Sequence, residues 1–122
     1  MSNANEFFNE VGSRRNKMVV CASGFKMSVQ AHNGAYCSPR IDNAEKYTHV
    51  EVGFPSQKEE LLMEWCEEAN NPTETVYGYV PVQVINTVLA KHGGIVEGEV
   101  PRGVAPIPAK FTGEYWFGRN ST

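Results

Sequence analysis

The sequence predicts an α+β domain, an N-terminal antiparallel sheet of four or five strands with two helices packed on one side. Three observations carry that prediction. Phe25-Lys26-Met27-Ser28-Val29-Gln30-Ala31 and Tyr47 to Phe54 alternate in the period-two manner of strands with one buried face. Two later stretches repeat apolar residues at helical spacing, each behind its own start signal. The chain has 122 residues, enough for one domain with one core.

Residues 1–17 read as a flexible lead-in or short helix. Ser2-Asn3-Ala4 has the look of a cloning scar, and Phe7, Phe8 and Val11 could form one face of a short helix. The preferred reading is a frayed segment that docks by its two phenylalanines. The folded domain is expected over residues 18–103. Met18 to Ala22 makes a first strand, and Ser23-Gly24 is turn chemistry that feeds a hairpin into Phe25 to Ala31. Phe25, Met27, Val29 and Ala31 would face the core. His32-Asn33-Gly34 is another turn, Ala35 to Ser38 a short third strand ended by Pro39, and Ile41 to Lys46 a polar loop.

Tyr47 to Phe54 is the clearest strand. Thr48, Val50, Val52 and Phe54 form its core side, and Tyr47, His49, Glu51 and Gly53 look outward. Ser56-Gln57-Lys58-Glu59 has the form of a capping box, so a helix is expected from there to about Ala69. Its buried stripe is Leu62, Trp65, Cys66 and Ala69, with Glu59, Glu60, Glu64, Glu67 and Glu68 on the solvated face. Thr73 to Val80 is a β-type run. Pro81 then opens a second helix, to about His92, on a stripe of Val82, Ile85, Val88 and Leu89, with Gly93 at its end. Gly94 to Val100 adds a last strand. Residues 104–122 are a Pro-rich connector and a tail whose Phe111, Tyr115, Trp116 and Phe117 need cover from this chain or a second subunit. That tail, on so small a domain, predicts a homo-oligomer.

Composition narrows the function classes. The net charge of −3 gives no bulk positive field for nonspecific nucleic-acid binding. No apolar run approaches the ~20 residues that span a bilayer, and no signal-peptide core is visible, so a cytoplasmic location is expected. Cys21, Cys37 and Cys66 are odd in number and lack a C-x-x-C, which speaks against a disulfide framework or a zinc knuckle. His32, His49 and His92 have no metal-ligand spacing, so no metal or other cofactor is expected. Cys37 with His49 could be written as nucleophile and base, but a strand Cys and a strand His is the plainer account.

The densest chemistry lies between Tyr36 and Ser56, which gathers an Arg, two Tyr, a Phe, a His, a thiol and several hydroxyls. That mixture suits a flat, anionic, ring-bearing ligand. Tyr36, Tyr47, Phe54, Tyr77 and Tyr79 sit on or beside strands; core packing accounts for Phe54 and for one tyrosine of the 77/79 pair, and Gly78 between those two leaves a face open. Arg40 and Arg102 each lie beside a proline-stiffened loop and offer planar forks for phosphate. No Walker sequence occurs, and Gly93-Gly94 ends a helix rather than starting one. The candidate ligand-binding residues are Tyr36, Arg40, His49, Tyr77, Tyr79 and Arg102; none is assigned a catalytic role.

The phrases Ser28-Val29-Gln30-Ala31, Tyr36-Cys37-Ser38-Pro39-Arg40, Tyr47 to Pro55 and Tyr77-Gly78-Tyr79-Val80-Pro81 resemble small phage-encoded accessory proteins. Within that group the order of sheet and two helices is similar to the first class of Thoeris anti-defence sponges, over about residues 18–103. The resemblance implies a homo-oligomer built on a dimer, acting in the cytoplasm of an infected bacterial host. It implies a protein that traps a cyclic ADP-ribose isomer, and in some members cyclic oligonucleotides, without cleaving them. The rival readings are a small hydrolase or transferase acting on a nucleotide, and a protein-interaction module that uses the aromatic tail.

Overall fold

A computed structural model describes residues 7–8 and 15–109. Five strands form one antiparallel sheet: β1 (Val19–Cys21), β2 (Lys26–Gln30), β3 (His49–Gly53), β4 (Val76–Pro81) and β5 (Ile95–Glu97), in the spatial order β4-β3-β2-β1-β5. A 3-10 helix (Glu60–Trp65) separates β3 from β4, and an α-helix, α1 (Val82–Lys91), separates β4 from β5. The architecture is the α+β arrangement that the periodicity predicts.

The core follows from the alternation. Val19, Cys21, Met27, Val29, Val50, Val52, Tyr77, Val80 and Ile95 come from the sheet, and Leu62, Ile85, Val88 and Leu89 come from the helices. Each of these sheds most of its apolar surface from water, worth about 1.5–3 kcal/mol per large side chain. Pro81 sits at the N-cap of α1, where its missing N–H costs no hydrogen bond, and Gly93 follows the helix at φ 87°. Phe7 is buried, and Val100 N–H donates to the Phe7 carbonyl at 2.7 Å, so that residue of the lead-in is docked. The aromatic residues at 111–117 lie outside the described residues.

Several expectations change on contact with the structure. The first helix is a short 3-10 helix, not an α-helix from Ser56 to Ala69. Ser56 does not cap it: its Oγ accepts from Lys26 N–H at 2.9 Å and its own N–H donates to the Lys26 carbonyl at 2.8 Å. Glu59 is the cap, accepting Leu61 N–H, and it is buried rather than solvated. Residues 35–38 form only an isolated bridge, Ser38 to His49, beside a cis Ser38–Pro39 peptide. Tyr47 turns inward, its hydroxyl donating to the Ile41 carbonyl at 2.6 Å. Phe54 turns outward: the strand ends at Gly53, Phe54 adopts φ 49°, and half its surface is in water.

The loop after β5 is fixed by contact with β3's approach. Tyr47 N–H donates to the Arg102 carbonyl at 2.8 Å, and a Cβ on Gly103 would stand 2.1 Å from the Tyr47 carbonyl oxygen. Only glycine allows that approach, at φ 112°.

Leu89 is the cleanest probe of the helix–sheet core. Leu89→Ala should destabilise the fold by about 2–5 kcal/mol in denaturant melts. A cost under about 1 kcal/mol would show that α1 does not seal the sheet.

Candidate functional site: an aromatic pair at the β4 edge

Two groupings of polar side chains stand out. The first lies at the β4 edge. Tyr36 and Tyr79 face each other with ring centroids 6.0 Å apart and planes 29° apart, and both rings are exposed. The Arg40 guanidinium lies 5.4 Å from the Tyr36 centroid, within cation–π range. The backbone holds this pair: Tyr79 N–H donates to the Tyr36 carbonyl at 3.0 Å, and Tyr36 N–H donates to Glu51 Oε1 at 2.8 Å. Tyr79 adopts φ 55°, a left-handed conformation that costs a bulky residue about 1–3 kcal/mol. The β3–β4 register shifts between Val50 and Val52, next to Tyr79, and that irregularity swings the ring into solvent.

Gly78 lets this cluster close. A Cβ there would stand 3.2 Å from Glu67 Oε2 and 3.3 Å from Tyr36 Cβ. The carboxylate and the ring therefore converge on the space that a side chain would take.

Of the sequence-derived candidates, the structure brings Tyr36, Arg40 and Tyr79 together. His49 lies on β3, in the bridge with Ser38, its Nδ1 2.8 Å from Thr48 Oγ1. Arg102 is exposed and lies over Phe8, 5.8 Å from its centroid. Tyr77 belongs to the core: it is fully buried and its hydroxyl donates to the Pro72 carbonyl at 2.5 Å. Alternation would put Tyr77 and Tyr79 on one face; the register shift and the left-handed backbone of Tyr79 separate them, leaving Tyr77 inside and Tyr79 as the exposed ring of that pair. Glu51 and Glu67 complete the cluster; runs of helical glutamates gave no sequence signal that would single out Glu67.

The surroundings of Cys37 favour the thiol over the nucleophilic thiolate: burial pushes the group up, and its Sγ donates to the His32 carbonyl at 3.2 Å. Cys21 is pushed up by burial to about 11. All three cysteines are free.

The second grouping is a line of hydrogen bonds that the sequence did not foretell. Ser23 Oγ lies 2.9 Å from His92 Nδ1, and His92 Nε2 lies 2.7 Å from Glu59 Oε1. Lys91 Nζ reaches Glu59 Oε2 at 2.8 Å, and Phe25 stacks on the His92 ring at 4.2 Å. The order Ser–His–carboxylate is that of an acyl-transfer triad. The donors that would stabilise an oxyanion are already spent, however. Ser23 N–H goes to the His92 carbonyl, Gly24 N–H to the Cys21 carbonyl, and Phe25 N–H to Ser23 Oγ itself. The line therefore reads as a clasp joining the β1–β2 turn, the 3-10 helix and the end of α1.

Among the described residues no three His, Cys, Asp or Glu side chains are grouped to hold a metal, and no helix is long and apolar enough to cross a membrane. No family model, curated protein or solved structure matches this chain.

The clasp has a pH signature. Burial raises the Glu59 carboxyl, but hydrogen bonds from Lys91, Leu61 N–H and His92 outweigh it, and the group titrates below its usual value. Its folded pKa is thus depressed relative to the unfolded chain. The stability it contributes is full above the unfolded value and is lost as pH falls through the folded one. Glu59→Ala should cost about 3–5 kcal/mol at neutral pH, because it strands the buried His92. The gap between wild type and variant should narrow as pH falls below about 4. A gap that stays constant in melts from pH 7 to pH 3 would contradict this account.

Proposed function

We propose that the protein binds and sequesters a nucleotide-derived signal, a cyclic ADP-ribose isomer or a related cyclic nucleotide, without cleaving it. The observation that carries this reading is the exposed Tyr36–Tyr79 pair with Arg40 beside it. Packing within the sheet does not account for an exposed Tyr79 ring on a left-handed backbone, with the loop residue Tyr36 held exposed beside it. Rings so placed can stack on a base, worth about 1–3 kcal/mol per base, and a guanidinium gives a planar fork for phosphate. The sheet-and-helix order and the resemblance to Thoeris anti-defence sponges favour the same ligand class. In this reading the assembly is a dimer-built homo-oligomer in the cytoplasm of an infected bacterium.

A small nucleotide hydrolase is the second reading, favoured by the Ser23–His92–Glu59 line. The spent backbone donors weigh against it.

A thermal-shift screen against cyclic ADP-ribose isomers and cyclic oligonucleotides, followed by chromatography of what heating releases, separates the two. Intact ligand is the expected result, and a cleaved product would favour the hydrolase. In calorimetric titration, Tyr36→Ala should weaken binding by about 1–3 kcal/mol through lost stacking. Arg40→Ala should weaken it by about 1.5–3 kcal/mol through a lost charged hydrogen bond. Unchanged affinity in both variants would overturn the assignment of this site.

A further inference from the structure

Glu67 is placed with unusual care for a surface carboxylate. The 3-10 helix ends at Trp65, Cys66 bridges to Tyr77, and Glu67 N–H donates to the Val76 carbonyl at 3.0 Å. The backbone of residue 67 is therefore fixed along the outer edge of β4. Its side chain folds back over Gly78, where Oε2 and the Tyr36 Cβ and Cδ2 atoms converge within 3.2 to 3.5 Å of the same point. Glu67 is exposed, and among the described residues no ion pair neutralises it. Glu51 differs, since its Oε1 is committed to Tyr36 N–H.

We propose that the Glu67 carboxylate reads the exocyclic amino group of a base stacked at Tyr36 and Tyr79, so that the site takes amino-bearing rings in preference to oxo-bearing ones. The proposal rests on the nucleotide-binding reading of this site. An ionised carboxylate only accepts hydrogen bonds. The amino group of adenine or cytosine donates to it, as carboxylates accept from the cytosine amine in nucleic-acid grooves. The carbonyl of hypoxanthine or uracil presents lone pairs to the same oxygens and leaves the carboxylate desolvated without a partner. The polarity of the cluster fits a division of labour: the guanidinium of Arg40 is the group for phosphate, and the carboxylate at Gly78 is the group for the base edge. Gly78 favours this arrangement, because a Cβ there would press on Glu67 Oε2 at 3.2 Å and on Tyr36 Cβ at 3.3 Å.

The test compares cyclic ADP-ribose with its hypoxanthine counterpart, which differ in the amino-for-oxo exchange on the ring. Titrations use wild type, Glu67→Gln and Tyr36→Ala, with circular dichroism to verify folding; Glu67 is exposed, so its amide variant should fold. Wild type should prefer the adenine form by about tenfold or more, the size of one hydrogen bond to a charged group. Glu67→Gln should collapse or invert that preference, since an amide can donate to the oxo group, while Tyr36→Ala should weaken both ligands together. Equal wild-type affinities, with both still sensitive to Tyr36→Ala, would overturn the role of Glu67 and leave the binding site standing. A preference that survives Glu67→Gln would overturn it as well. Binding of neither ligand would overturn both readings.

Discussion

The buried carboxylate of Glu59 is the interaction on which the rest of the structure depends. A charge that deep would cost several kcal/mol if left alone. It is met by the Lys91 ammonium at 2.8 Å, the His92 ring at 2.7 Å and the Leu61 N–H at 3.0 Å. His92 is the C-cap of α1, and its other nitrogen meets Ser23 in the β1–β2 turn. One side chain thus fixes three elements that are distant in sequence. The consequence runs on to the β4 edge. The 3-10 helix that Glu59 caps leads into Cys66 and Glu67, and these are laced to Tyr77 and Val76. The edge that carries Tyr79 is thus joined through that helix to the ion cluster at its N-cap.

Tyr79 and Phe54 both occupy left-handed backbone conformations, and both rings are about half exposed. For Tyr79 the backbone cost is offset by its hydrogen bond to the Tyr36 carbonyl, which also sets the spacing of the two rings. Edge strands of sheets invite pairing with other chains. Here the outer side of β4 is occupied by Glu67 and Tyr36, so the edge presents rings and a carboxylate in place of open backbone groups.

Much of the fold was legible because period-two and helical repeats survive packing. Met27, Val29, Val50 and Val52 fall inside, and the Ile85, Val88 and Leu89 stripe seals them. Local signals misled where a tertiary partner outbid them. Ser56 has the look of a helix cap, yet β2 claims its hydroxyl and its N–H. Glu59 sits in a run of glutamates and reads as surface charge. Only the arrival of Lys91 and His92, over thirty residues later, makes burial tolerable. At the site, Tyr36, Arg40 and Tyr79 were legible as chemistry. Their assembly was not, because it depends on a register shift in β3–β4 that alternation cannot reveal, and Tyr47 and Phe54 lie just beyond the ends of β3, where alternation no longer sets the side.

The proposed separation of duties gives nucleotide binding to the β4 edge and leaves the Ser23–His92–Glu59 line to hold the fold. Backbone amide spectra recorded during titration with a cyclic ADP-ribose isomer test both halves at once. The account predicts that the amides of Tyr36, Glu67, Gly78 and Tyr79 shift and saturate together while those of Ser23, Gly24 and His92 stay in place. Saturable shifts at Ser23 and His92, with the tyrosine pair unmoved, would contradict it.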